Sequence, residues 1–344
     1  MTRLAVVLFN LGGPDRPEAV QPFLFNLFND AAIIGLPQPL RWLLASLIAR
    51  RRAPVAREIY RPLGGGSPLL ANTRAQARAL EQALGDTGTT KVFIAMRYWH
   101  PLSNKTVAAV KEFGPDEIVL LPLYPQYSTT TTASSLAEWQ RQTRRIGLTA
   151  PTYTVCCYPS ERGFVEATAA LIRPAYERAS VRGRPRLLFT AHGLPKRVVE
   201  RGDPYQVHVE ATAAAIVAQL GIADLDSVVS YQSRVGPLEW LKPYTEDELR
   251  RAGADRVPLI VAPIAFVSEH SETLVELDMT YRDEAMKLGV PHYERVPTVG
   301  VEPAFIGGLA GLVRGARRQP ARIAAAGGSR VCGAGFTCCA MTGA

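Results

Sequence analysis

The strongest constraint on this chain is an alternation of two hydrophobic periods along its length. Short apolar runs rich in β-branched residues, at 4–11, 92–96, 118–123, 153–157, 187–190, 228–231 and 259–266, read as buried strands. Between and after them, 73–84, 164–178, 207–220, 273–288 and 305–317 carry apolar residues three and four apart, the helical spacing. Strands joined through helices pair in parallel by right-handed crossovers, and ligands bind beyond the carboxyl ends of such strands. The pattern therefore predicts an α/β fold of doubly wound parallel sheets. It recurs on both sides of 147–151, and 344 residues accommodate two domains. The expected division is 1–150, 151–318 and a cysteine-containing tail, 319–344.

Charge narrows the partners. With 39 Lys and Arg against 31 Asp and Glu, the net charge of +8 favours anionic lipid, nucleic acid or carboxylated small molecules. No basic helix, zinc finger or aromatic RNA-binding signature is present, so no nucleic-acid partner is expected. No run reaches the ~20 apolar residues of a membrane span, and the first residues enter an apolar strand without a basic segment or cleavage site. A cytoplasmic location is expected. All five cysteines fall in two places, Cys156 with Cys157, and Cys332, Cys338 and Cys339. In a reducing compartment such grouping points to metal binding rather than disulfides.

The loops after the strands hold the candidate chemistry. Asn10-Leu11-Gly12-Gly13-Pro14-Asp15 offers a tight turn but lacks the third glycine and later acid of a dinucleotide fingerprint. Gly64-Gly65-Gly66-Ser67, preceded by Tyr60 and Arg61, is a second flexible loop. The segment 124–132 crowds Tyr124 and Tyr127 among hydroxyls, presenting flat apolar faces with polar tips that suit a planar ligand. His192 follows a strand, at the usual address of an α/β active site. Glu272 and Glu276, four apart at the start of a predicted helix, repel unless a cation lies nearby. Imidazole and carboxylates together suit a divalent transition ion, although their spacing selects no single metal.

Eight motifs in order resemble the ferrochelatase family over roughly the first 310 residues: 10–15, 64–68, Arg97-Tyr98 before His100-Pro101, 124–128, 192–195, Arg201-Gly202-Asp203-Pro204-Tyr205, Gln232-Ser233-Arg234-Val235-Gly236-Pro237 and 268–278. The resemblance implies two Rossmann-like domains facing a porphyrin cleft, and an enzyme that inserts Fe2+ into protoporphyrin IX to form haem. It makes His192 and Glu272 the catalytic pair and, with Glu276, the metal-handling set. Thr280 stands where the family can place a third acid. Leu11, Arg61, Arg97, Tyr98, Tyr127, Tyr205 and Trp240 become substrate-binding positions. Leu11, where some coproporphyrin-using relatives carry tyrosine, favours protoporphyrin. Insertion needs a neutral imidazole, so activity is expected to fall below the ~6.5 of free histidine.

The resemblance also implies a 2Fe-2S cluster on Cys332, Cys338, Cys339 and one of Cys156 or Cys157, because Thr129 occupies the internal ligand position of the animal enzymes. The apolar stretches 31–37 and 40–48, followed by Arg50-Arg51-Arg52, are placed at the lip of the pocket. There they fit peripheral contact with anionic membrane on the inner face. A homodimer is compatible with this reading. Coproporphyrin or cobalt chelation on the same fold, and a non-catalytic haem- or metal-binding protein, are the alternatives.

Overall fold

The computed structural model describes residues 2–85, 89–319, 321–333 and 335–341. The chain forms two compact units, one of Met1–Cys157 with Ala310–Arg330, the other of Tyr158–Leu309 with Val331–Thr342. The division thus falls seven residues beyond the expected 150/151, and the segment after 309 returns to the first unit before the tail rejoins the second.

In the first unit, β1 (Leu4–Asn10), β2 (Thr90–Met96), β3 (Glu117–Pro122), β4 (Thr152–Val155) and β9 (Ile323–Ala324) form one parallel sheet in the order β2-β1-β3-β4-β9. In the second, β5 (Arg186–His192), β6 (Asp226–Gln232), β7 (Leu259–Pro263) and β8 (Tyr293–Arg295) form another, ordered β6-β5-β7-β8. The first four strands of each sheet share one topology. In both, strand order reverses beside the first strand, between β1 and β3 and between β5 and β7, which is where an open parallel sheet binds its ligands.

Successive side chains of a strand point to opposite faces, and the cores follow that rule. Leu187, Phe189 and Ala191 of β5 join Ile260 and Ala262 of β7 in one buried cluster with helices α6 (Arg162–Ser180) and α8 (Tyr205–Leu220). The intervening Leu188, Leu259 and Val261 join another with Leu249 and Ala252 of α9 (Thr245–Asp255). Each buried Leu, Ile, Val or Phe among them contributes about 1.5–3 kcal/mol by leaving water. In the first unit Ala5, Val7 and Phe9 pack with Val107 and Val110 of α4 (Ser103–Phe113) and Trp139 of α5 (Ser134–Ile146). A sheet covered on both faces needs strands apolar throughout, which is why these runs do not alternate with polar residues.

Two departures from the sequence expectation bear on function. The helix expected over 273–288 opens as a π-helical segment, Glu272–Tyr281, and only then becomes α-helical over Arg282–Lys287. The apolar segment after residue 40 forms α2 (Leu40–Tyr60), whose buried residues are Ala45, Ala49 and Ala53 and, at its end, Tyr60. Its large apolar residues face outward: Leu40, Trp42, Leu43 and Leu47 are each 46–56% exposed.

Candidate functional site

His192 is the last residue of β5, paired in register with Gln232 at the end of β6. Its Nδ1 lies 2.7 Å from the carbonyl oxygen of Gly193. A carbonyl only accepts, so Nδ1 carries the proton in the neutral ring and Nε2 keeps its lone pair. Gly193 passes closely here: a Cβ would lie 3.1 Å from both Gln232 O and Trp240 Cε3, so a side chain would press on both. That close passage brings the Trp240 ring within 6.2 Å of the imidazole, tilted by 51°. Trp240 Nε1 donates to Val235 O at 3.1 Å, fixing the indole. Tyr205, buried at the start of α8, donates its hydroxyl to the His192 carbonyl at 3.0 Å. Tyr205 therefore supports the histidine backbone, and its burial pushes its phenol well above the usual range.

The carboxylates come from the π-helical segment, which is clamped by Arg295 of β8. The Arg295 guanidinium bonds Glu269 at 2.8 and 3.0 Å and Asp278 at 2.7 Å through two nitrogens, and its side chain is 8% exposed. Glu269 also accepts from the Thr298 N–H at 2.9 Å. Glu272 and Glu276 lie between these anchors. His270 Nε2 stands 3.8 Å from Glu272 Oε1, while Glu272 Oε2 is buried without a hydrogen-bond partner. Glu276 instead accepts from Ser233 Oγ at 2.7 Å and Tyr281 OH at 3.0 Å. Ser233 reaches it from a left-handed backbone, φ 64°, a conformation worth about 1–3 kcal/mol of strain in a non-glycine residue.

These surroundings split the two acids. Burial disfavours the charged form of Glu272, but the positive fields that His192 and His270 carry when their imidazoles are protonated outweigh it and push the carboxyl down to about 2. Burial and the negative Glu272 together raise Glu276. Two nearby carboxyls that cannot ionise equally titrate as a pair, one held ionised and one biased toward its acid form.

The structure brings His192, Trp240, Tyr205, Glu272 and Glu276 into the second unit. Leu11, Arg61, Arg97, Tyr98 and Tyr127 belong to the first. Leu11 follows β1 beside Gly12, whose φ of +87° and 2.9 Å clearance to Trp99 N admit no side chain. Tyr98 is fully buried and donates to Asp30 Oδ2 at 2.7 Å, the carboxylate that also pairs with Arg97 at 2.8 Å. Arg61 is exposed and pairs with Glu58 at 2.7 Å. Tyr127 is buried. Among residues not singled out from the sequence, Ser233, His270 and Arg295 hold the acids in place. The first two lie inside motifs visible in the sequence; Arg295 had no signal.

The thiols do not converge on a metal site in the described residues. Cys156 and Cys157 are buried in the first unit with sulfurs 3.6 Å apart. In the second, Cys332 Sγ lies 3.3 Å from His208 Nε2, whose imidazole burial pushes down to about 4, and Cys338 Sγ donates to Arg201 O at 3.4 Å. Among the described residues no group of three or more His, Cys, Asp or Glu is arranged to hold a metal ion. The residues as placed do not fit a four-thiolate cluster.

The two parallel sheets give the chain a fold shared with solved chelatases. SirB from Bacillus subtilis, solved with Fe3+, superposes with a TM-score of 0.53 at 13% identity, covering 92% of this chain and 96% of that one. The sirohydrochlorin chelatase SirB from Bacillus subtilis subspecies spizizenii, in complex with cobalt, gives 0.53 at 11% identity, over 92% and 97%. At such identities the likeness is one of fold. The particular family follows from sequence: residues 3–317 match the ferrochelatase model. A ferrochelatase of Caulobacter vibrioides is 53% identical over 98% of this chain and 97% of its own. One of Phenylobacterium zucineum is 57% identical over 91% of each. The chain belongs to the ferrochelatase family, and its reaction is the insertion of iron into a porphyrin in haem synthesis.

Proposed function

We propose that the porphyrin is protoporphyrin IX and that His192, Glu272 and Glu276 divide the work of metal insertion. The reaction exchanges one Fe2+ for two pyrrole N–H protons, so the site needs a base and an anionic surface for the cation. The observation that carries this reading is the contrast between groups: among the described residues His192 Nε2 has no partner and one oxygen of Glu272 is unpartnered, while Glu272 is held ionised and Glu276 is the more basic acid. His192 Nε2 takes the two pyrrole protons one at a time, passing on the first before accepting the second. Glu272, too acidic to compete for them near neutrality, presents the incoming iron. Glu276, the more basic of the two carboxylates, accepts a proton when ionised and releases it outward before taking the next. The Trp240 face beside His192 supplies apolar contact for a macrocycle, whose bending draws on such remote binding. Replacing His192 by Ala is expected to lower kcat about 10²–10⁴-fold, the range for loss of a general base, with porphyrin still bound. Glu272→Gln is expected mainly to raise KM for Fe2+. Anaerobic insertion assays followed by porphyrin absorption test both, and near-normal turnover by His192→Ala overturns the assignment.

The outward side chains of α2 support peripheral association with anionic membrane at a cytoplasmic location. Large apolar residues outside and alanines inside invert the pattern of a helix that only fills a core, and the exposed Arg50, Arg51 and Arg52 follow on the same helix. No described helix is long and apolar enough to cross a membrane. Changing the three arginines to glutamate is expected to abolish sedimentation with phosphatidylglycerol vesicles; undiminished binding counts against the lip reading.

The cysteine grouping and the family resemblance support a 2Fe-2S cluster, while the described thiol positions do not, so no step is routed through one. Iron and acid-labile sulfide analysis of anaerobically purified protein decides between them. About two of each per chain establishes the cluster, and none dismisses it.

A further inference from the structure

The first unit contains a polar cavity of about 720 Å³ whose lining includes none of the His192, Glu272 and Glu276 cluster. Its size falls within the range of small-molecule sites. Four arginines line it, Arg41 from α2, Arg97 after β2, and Arg141 and Arg145 from α5, against the two carboxylates Asp30 and Glu138. Both carboxylates are already spent. Asp30 pairs with Arg97 at 2.8 Å and accepts from Tyr98 and Ser134. Glu138 binds Arg141 through both oxygens, at 2.8 and 2.9 Å, and accepts from Gln142 at 2.7 Å.

Two positive charges remain. Arg41 bonds only neutral carbonyls, those of Asn29 at 3.0 Å and Leu36 at 2.7 Å, and Arg145 has no partner among the described residues. The amino-terminal end of α4 adds to this field, because Ser103 and Asn104 line the cavity and the N-cap, Leu102, supplies no side-chain acceptor. Ser103 is only 4% exposed, yet its hydroxyl has no partner among the described residues. The amide nitrogens of Asn29 and Asn104 are also unspent, since their oxygens accept from Gln38 at 2.9 Å and the Lys105 N–H at 2.9 Å. Cations and donors thus converge from α2, α4 and α5, three directions that match a tetrahedral anion better than a planar carboxylate. The amide oxygens of Asn26, Gln38 and Gln142, also on the wall, can receive hydroxyl groups of an attached polyol.

We propose that this cavity is a glycerophosphate-binding site, with Arg41, Arg145 and the start of α4 holding the phosphate. The group can reach it as a soluble ester or as the headgroup of a phospholipid; Arg41 bonds the carbonyl of Leu36, which with Leu40 is exposed on the adjacent apolar lip. The site stands independently of the chelatase assignment and is tested without turnover.

The full chain is titrated with sn-glycerol 3-phosphate by calorimetry, and its partition onto phosphatidylglycerol and phosphatidylcholine vesicles is measured in parallel. Arg145→Glu removes no hydrogen bond or ion pair among the described residues. Arg144→Glu, an exposed neighbour outside the lining, reports the same change in net charge. Binding of glycerol 3-phosphate that weakens at least about tenfold in Arg145→Glu and not in Arg144→Glu supports the site with a soluble ligand. No response to the soluble ester, but the same selective loss on phosphatidylglycerol vesicles, supports it with a lipid-borne one. Equal behaviour of the two variants on both probes, or binding to neither probe, overturns it.

Discussion

One buried arginine sets the geometry on which the chemistry depends. Arg295, on the short edge strand β8, holds Glu269 and Asp278 at the two sides of the stretch that carries Glu272 and Glu276. Removing one partner of such a buried network typically costs about 3–5 kcal/mol, because the remaining charge is left without compensation. With both anchors tied to the sheet, the intervening chain adopts π-helical rather than α-helical winding, a form that recurs at functional sites. The two acids then meet different neighbours, and their different chemistry follows from that placement rather than from residue type.

The division of protonation states ties the sheet to the reaction. β5 ends at a topological reversal, so its last residue presents an imidazole beyond the strand ends while the backbone behind it is locked in the ladder. The Gly193 carbonyl selects which nitrogen is basic, and Tyr205 steadies the same turn. Ser233, strained into the left-handed region, serves Glu276. Rigid elements thus bear each working group, which limits reorganisation when charge moves from pyrrole nitrogen to protein.

Much of this was legible in the sequence, for reasons that particular residues make clear. The seven strands were readable because doubly covered strands are apolar throughout, as in Ala5 to Phe9 and Leu187 to Ala191. β8 and β9 were not, since three and two residues carry no periodicity. The polar helices α4, α5 and α9 escaped because their apolar stripes are narrow. His192 and the two glutamates were visible as chemistry in strand-end loops. Their supports were not: the π-helical winding, the φ of Ser233 and the reach of Arg295 are consequences of tertiary contacts. Tyr98 shows the converse, a residue in a motif whose hydroxyl is turned inward to Asp30.

The central claim is that His192 is neutral on Nε2 and protonated on Nδ1 before substrate arrives. Nitrogen-15 NMR of histidine-labelled protein near neutral pH, with His192→Ala used to assign the resonance, reads the tautomer directly. The account predicts a proton on Nδ1 and a bare Nε2. A proton on Nε2 with a bare Nδ1 would contradict the account, because the ring would then offer its base to its own backbone instead of to the porphyrin.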